Sequence, residues 1–375
     1  MRKEFVSRQQ LEMLPKRIRK AEETDATKEL KQYMWEMFEK NSYFPMKIMI
    51  VGDGNSYPAA LFAKRVVSYE MRTSNVDAVT PQVAISILTQ FDNVNNGDWN
   101  PKYDLIIGIS YSGKTNDIKC VSDFCERRCI PFVLVTGAEK STLSTIYKES
   151  YKLKIASYFN PEDTTGEEKD MVSMFSTLAP IIIFDDDCTT YSISENQGIL
   201  QEGEEFVSKF NIPIIARAIK QCPVIHVFYE PDTLPTAVDI RNKFTESGIA
   251  NVVLHEKKNF SQGQYTILYN QNFALVINLI RYSCVFKNGG LSPVFRSEYD
   301  EKLDDFLRRR CQEKNANYIK FTKIAHSSTL YNIETMMKFL YLIIAIGEEL
   351  EIDVSNPLKS FPEEAKELQE YKGKF

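Results

Sequence analysis

The clearest chemistry lies in six consecutive residues, Ser110-Tyr111-Ser112-Gly113-Lys114-Thr115. Three hydroxyls, on Ser110, Ser112 and Thr115, fall in one loop just before a stretch with helical spacing. A helix N-terminus offers unpaired backbone N–H groups and a partial positive charge. Hydroxyl donors added to such an end suit a phosphate dianion. The plainest alternative is a helix cap, but a cap needs one hydroxyl and not three. A second alternative uses the same residues: Gly108 to Thr115 fits G-x-x-x-x-G-K-[ST], the nucleotide-binding loop. Ile181-Ile182-Ile183-Phe184-Asp185 would then be the acidic, magnesium-binding strand. Two features count against it: the run between Gly108 and Gly113 has no further glycine, and a phosphate-type turn already stands at Gly52-Asp53-Gly54-Asn55-Ser56.

These loops need strands behind them. Lys47 to Val51, Asp104 to Ile109 and Pro131 to Val135 are apolar runs that read as buried strands, with further strands near 75–79 and 151–156. Helical spacing appears at 57–71, through Ile85 and Leu88, and at 114–128. Strands alternating with helices predict a mostly parallel sheet covered on both faces. After a helical stretch at 171–220 the pattern restarts, with strands at 224–228, 250–254, 273–279 and 317–322 and helices near 234–246, 299–313 and 331–350. The fold class is therefore α/β: two doubly wound parallel-sheet domains in tandem. The expected divisions are a helical segment at 1–45, a first domain at 46–190, a helical linker at 191–221, a second domain at 222–350 and a tail at 351–375. In such sheets ligands bind beyond the carboxyl ends of the strands, where both loops fall.

At these loops the chain resembles the sugar-isomerase (SIS) domain family. Its tandem members include the isomerase half of glucosamine-6-phosphate synthase, the phosphoglucose/phosphomannose isomerases and the fructosamine-phosphate deglycases. Gly54-Asn55-Ser56-Tyr57 and the 110–115 loop are similar to the family's G-x-S-x and S-x-S-G-x-T loops. Glu246 occupies the place of the family's catalytic glutamate, and Asp353 to Ser360 is similar to the synthase tail. The resemblance implies flavodoxin-like domains and a phosphorylated sugar or amino sugar as ligand. Ser56, Ser110, Tyr111 (through its backbone), Ser112 and Thr115 would hold the phosphate, and Ser173 a sugar hydroxyl. Glu246 would move a proton between C1 and C2, with Lys359 near the carbonyl carbon. It also implies a homodimer with shared active sites. Aldose–ketose isomerisation needs one base that takes a proton and returns it one carbon away, and a carboxylate in a partly dry cleft can do this.

The chain departs from the family in two places. Gln262-Gly263 stands where the synthase-like members have His-Gly. An amide does not titrate, so it orients a hydroxyl without shuttling its proton. His255, seven residues earlier, is the candidate substitute; a structural histidine is the alternative. Lys114 replaces a common glutamate. Three readings follow: an isomerase, deaminase or deglycase acting on a hexose, amino-sugar or fructosamine 6-phosphate; a non-catalytic phosphosugar sensor; or a P-loop nucleotide hydrolase.

Bulk properties bound these readings. The chain has 375 residues, of which 43% are hydrophobic and 26% charged, as expected of a folded soluble protein. A net charge of −5 gives no pull toward nucleic acid or an anionic membrane, so an anionic ligand must be held by a local site. Seven cysteines match no zinc or disulfide spacing, and three histidines lie far apart; neither a metal nor a cofactor is expected. No signal-like or bilayer-length apolar run is visible, and the cytoplasm is the expected compartment. With about 45 residues before the first strand, ammonia transfer from glutamine is not expected of this chain.

Overall fold

A computed structural model of the chain describes residues 6–22, 24–40, 45–70, 75–94, 103–113, 115–137, 153–157, 175–184, 198–282, 284–287, 290–293, 298–324 and 328–354. Two compact units result, one built mainly from residues 11–197 and the other mainly from residues 198–360.

The N-terminal unit is organised around five strands: β1 (Lys47–Gly52), β2 (Asn75–Val79), β3 (Leu105–Ile109), β4 (Phe132–Thr136) and β5 (Leu153–Ser157). All neighbouring strands run parallel, in the order β2-β1-β3-β4-β5. β3 and β4 are buried at every position, and β1 at every position but Lys47. That is why they read as unbroken apolar runs: a strand covered on both faces has no solvent side to alternate with. α1 (Val6–Glu22) and α2 (Ala26–Lys40) precede the sheet; α3 (Ser56–Glu70), α4 (Pro81–Val94) and α5 (Asn116–Arg127) connect its strands. α5 buries Ile118, Val121, Phe124 and Cys125, a helical stripe. The stripe meets Met49, Val51, Ile106 and Leu134 of the sheet and Ala84 and Leu88 of α4 in one core cluster. α6 (Phe175–Phe184) follows. Ile181 to Phe184 therefore belong to a buried helix, not to the acidic strand that a nucleotide hydrolase would need. A run of β-branched residues signals burial, and burial suits either element.

The C-terminal unit starts with α7 (Gly198–Ser208) and α8 (Ile212–Gln221). Its sheet holds β6 (Val224–Tyr229), β7 (Asn251–Glu256), β8 (Leu275–Tyr282) and, later in the chain, β11 (Asn317–Ile324), all parallel, in the order β11-β8-β6-β7. Numbered from its own first strand this is 2-1-3-4, the order of the first unit. An antiparallel hairpin, β9 (Cys284–Lys287) and β10 (Gly290–Pro293), was not expected from sequence. The helices are α9 (Leu234–Glu246), α10 (Glu298–Glu313) and α11 (Ser328–Glu349). α11 is buried from Tyr331 to Asn332 and on through Ile333, Met336, Phe339 and Ile343, because α7, α8 and α9 all pack on it. Gly203 of α7 is required there: a Cβ would lie 2.3 Å from the Tyr341 ring of α11. No described helix is long and apolar enough to cross a membrane.

Inside this sheet two histidines touch. His226 Nδ1 and His255 Nε2 are 2.8 Å apart, on adjacent strands. Phe228 and Phe260 flank His255, and Phe273 meets His226 edge-on. Burial, reinforced by the neighbouring ring, lowers the His226 pKa to about 3, and burial lowers that of His255. Both are thus neutral when folded and ready to accept protons when unfolded. The unfolded chain binds more protons below about 6.5, so stability is complete above that pH and is lost as pH falls toward 3. Melting temperature is expected to drop between pH 6.5 and 5, before most carboxylates titrate. His226→Phe, which packs but cannot be protonated, is expected to reduce the slope by up to about 1.4 kcal/mol per pH unit. An unchanged slope would show that the pair does not set the acid limb.

Candidate functional site

Parallel sheets of order 2-1-3-4-5 have their switch point between the first and third strands, where neighbouring connections leave in opposite directions. Here β1 and β3 are register partners to their ends, with Gly52 beside Ile109. The two loops singled out by sequence therefore leave the sheet side by side.

The first loop is a tight turn. Ser56 N–H donates to Asp53 O at 2.8 Å, Tyr57 N–H to Gly54 O at 3.2 Å, and Gly54 N–H to the Asp53 carboxylate at 2.9 Å. Gly54 takes a φ of 51°, the left-handed region. Gly52 has no room for a side chain: a Cβ would lie 2.4 Å from Ser56 O. That approach brings buried Ser56, the first residue of α3, back over the end of β1. Thr177 of α6 adds a hydrogen bond to Asn55 O at 2.9 Å. Sequence reasoning passed over Thr177; the signal was the polar pair Ser176-Thr177 opening an otherwise apolar helix.

The second loop is anchored to the sheet at its start. Ser110 N–H donates to Val135 O at 3.0 Å, Gly137 N–H to Tyr111 O at 3.0 Å, and the buried Thr136 hydroxyl to Tyr111 O at 3.1 Å. Gly113 closes the turn with its N–H on Ser110 O at 3.2 Å. The Ser110 and Thr115 hydroxyls share a hydrogen bond of 2.9 Å. Thr115 is the N-cap residue of α5, yet its side chain makes no capping bond. The cap position thus turns its hydroxyl toward Ser110 and not onto the helix. Ser112 is exposed and Tyr111 half-buried. Asp117, an acidic residue in the first turn of α5, is tied to Gln82 at 2.6 Å. Gly108 lies within β3, paired with Val51 and Leu134 and pressed against Phe132. It belongs to the sheet, whereas a P-loop needs that glycine in the loop.

The other sequence candidates divide as follows. Glu246, the last residue of α9, is half-buried and belongs to the C-terminal unit. One turn earlier, Lys243 and Asp239 form a fully buried ion pair. Their i,i+4 spacing could have revealed the pair from sequence. Gln262 is exposed, beside Gly263, at a kink between two short helical turns. His255 is buried among Phe228, Phe260 and His226, and its remaining ring nitrogen faces Gln264 Oε1 at 3.4 Å. Ser173, Lys114 and Lys359 lie outside the described residues.

The C-terminal unit has its own switch point, between β6 and β8, with different chemistry. Buried Lys257 donates to Glu230 at 2.9 Å and to Leu279 O at 2.8 Å, and Arg281 pairs with Asp232 at 2.6 Å. Both cations there are already matched by carboxylates of the chain, whereas the N-terminal switch point presents hydroxyls. Among the described residues no group of three or more His, Cys, Asp or Glu is placed to hold a metal ion.

Gly52→Ala tests the geometry of the first loop. The clash with Ser56 O is expected to cost roughly 1–3 kcal/mol of stability in denaturant unfolding. A neutral substitution would mean the Ser56 approach is not tightly set.

No protein-family model and no curated protein sequence matches the chain. Solved structures do. The C-terminal domain of glucosamine-fructose-6-phosphate aminotransferase from Francisella tularensis superposes with a TM-score of 0.63 at 13% identity, covering 94% of this chain and 98% of that one. Tagatose-6-phosphate ketose/aldose isomerase from Escherichia coli gives 0.61 at 14% identity, covering 91% and 93%. Glucosamine-6-phosphate deaminase from Thermotoga maritima gives 0.52 at 16%, covering 91% and 97%. The chain shares their fold.

Proposed function

We propose that this chain is a tandem SIS-domain protein that binds a phosphorylated sugar at the β1/β3 switch point. The observation that carries the reading is the pair of hydroxyls on Ser110 and Thr115, joined to each other at the open N-terminus of α5 while the cap goes unmade. An incoming phosphate would exchange that bond for its own, with Ser56, Ser112 and the backbone from Tyr111 onward completing the cradle. Such donors hold a dianion with little net charge nearby. The solved structures with this fold include enzymes of hexose and amino-sugar phosphates, which supports the ligand class.

The reaction is an aldose–ketose isomerisation, deamination or deglycation of a hexose, amino-sugar or fructosamine 6-phosphate. Glu246 takes the proton from one of the C1/C2 carbons and returns it to the other. Lys359 faces the oxygen that gains charge in the enediolate, and Ser173 holds a sugar hydroxyl. Gln262 orients a hydroxyl without exchanging its proton, so the open-chain form is the reactive substrate. A dimer with shared sites and a cytoplasmic location complete the reading. Gln262 also favours a second reading, a phosphosugar sensor without turnover.

Thermal stability against hexose 6-phosphates, amino-sugar phosphates, fructosamine phosphates and ATP–Mg separates these. A true ligand at 100 times its Kd adds about 2.7 kcal/mol. Stabilisation by ATP–Mg alone would sink the phosphosugar reading. Ser110→Ala with Ser112→Ala is expected to abolish the sugar-phosphate effect. Glu246→Gln is expected to keep binding and slow turnover by roughly 10²–10⁴-fold. Equal rates in the wild type and Glu246→Gln would remove Glu246 as the base, and binding without turnover across the panel would leave the sensor.

A further inference from the structure

At the opposite end of the N-terminal sheet lies a cavity of about 330 Å³, a volume that suits a small metabolite. Its wall includes Lys47 and Asn75, the first residues of β1 and β2 and register partners across the sheet. Lys64 and Ser68, one turn apart on α3, face it from the helix layer, and Asp77 and Tyr103 close it. The charges are unbalanced. Among the described residues, the side chains of Lys47 and Lys64 make no ion pair or hydrogen bond, although both line the same space. The carboxylate in the same lining is already engaged: the Tyr103 hydroxyl, on a residue only 2% exposed, donates to Asp77 Oδ2 at 2.7 Å. Burial, with that carboxylate, pushes the Tyr103 phenol far up, so it remains a donor. The cavity thus offers two uncommitted ammonium groups against one occupied carboxylate, together with the amide of Asn75 and the hydroxyl of Ser68.

Unpaired lysines on open surface need no explanation, because water and their own flexibility serve them. Two of them sharing one concave wall, beside a buried tyrosine–aspartate pair, form a local positive site in a chain whose net charge is −5. The site cannot be an extension of the switch point. Lys47 and Gly52 are the two ends of β1, separated by roughly 17 Å at about 3.3 Å per residue.

We propose that this cavity binds a second small organic anion, bearing one phosphate or carboxylate group and neighbouring hydroxyls. Lys47 and Lys64 grip the anionic group. Asn75 and Ser68 bond the hydroxyls, and the rigid Asp77 carboxylate accepts from one of them. The proposal is independent of the phosphosugar reading.

Calorimetric titration of the full chain tests it. The protein first carries Ser110→Ala and Ser112→Ala, which disables the switch point, and is titrated at low salt with glycerol 3-phosphate and with gluconate. Lys47→Ala and Lys64→Ala are then added. At least one probe is expected to bind the serine variant one-to-one, and at least roughly tenfold more weakly once both ammonium groups are gone. Whichever probe binds identifies the head group. Both lysines are exposed, and a Lys47→Gln/Lys64→Gln protein that keeps its circular dichroism separates lost charge from lost fold. Binding by neither probe, or binding indifferent to both lysine changes, overturns the proposal. Loss of hexose 6-phosphate binding in the serine variant bears only on the switch-point reading.

Discussion

Between Gly52 and the carbonyl of Ser56 there is space for a hydrogen and nothing larger. That contact lets the chain leave β1, reverse, and start α3 within four residues, with Ser56 lying back over the strand end. Because Gly52 and Ile109 are neighbours in the sheet, the reversal is set directly beside the 110–115 loop. Each loop is held by backbone bonds on one side and a left-handed glycine in its turn, Gly54 or Gly113. The hydroxyls at stake are thus carried by rigid parts. For the ligand proposed above, a preformed cradle of this kind would keep ordering costs low.

The two units repeat one topology and differ in what they put at its switch point. In the C-terminal unit, Glu230 and Asp232 occupy the strand-end position and are matched by Lys257 and Arg281. Taking those carboxylates away would leave buried cations, which is costly. That arrangement fixes the loop by internal charge. In the N-terminal unit the corresponding position is held by hydroxyls and backbone donors, which can exchange one partner for another at low cost. The same strand order thus carries hydroxyls at one switch point and an ion-paired network at the other, in keeping with the rule that function resides in sites and not in folds.

Much of this was legible in the residues. β1, β3 and β4 announced themselves because strands covered on both faces carry unbroken apolar runs, and the loops because Gly, Ser and Asn mark turns. Ile181 to Phe184, which a nucleotide hydrolase would need as a strand, lie in a helix, as the helical reading of 171–220 expected. The β9–β10 hairpin was missed because two four-residue strands are too short to show a period. Contacts between distant residues had no signal at all. His226 and His255 are 29 positions apart and meet only because β6 and β7 are neighbours. The bond between Ser110 and Thr115 was likewise invisible, although both residues had been picked out.

α11 has a consequence for how the chain is made. It is buried over most of its length, yet α7, α8 and α9, on which it packs, all precede it. During synthesis those elements leave the ribosome before the helix that covers them, at about 5–20 residues per second. For several seconds the half-built unit presents an open apolar trough, and the emerging helix presents a matching stripe. Both are surfaces that chaperones capture and that promote aggregation when crowded. The final assembly of this unit is therefore a late, long-range step, and substitutions that slow the docking of α11 would lower the yield of folded protein even where the finished structure tolerates them.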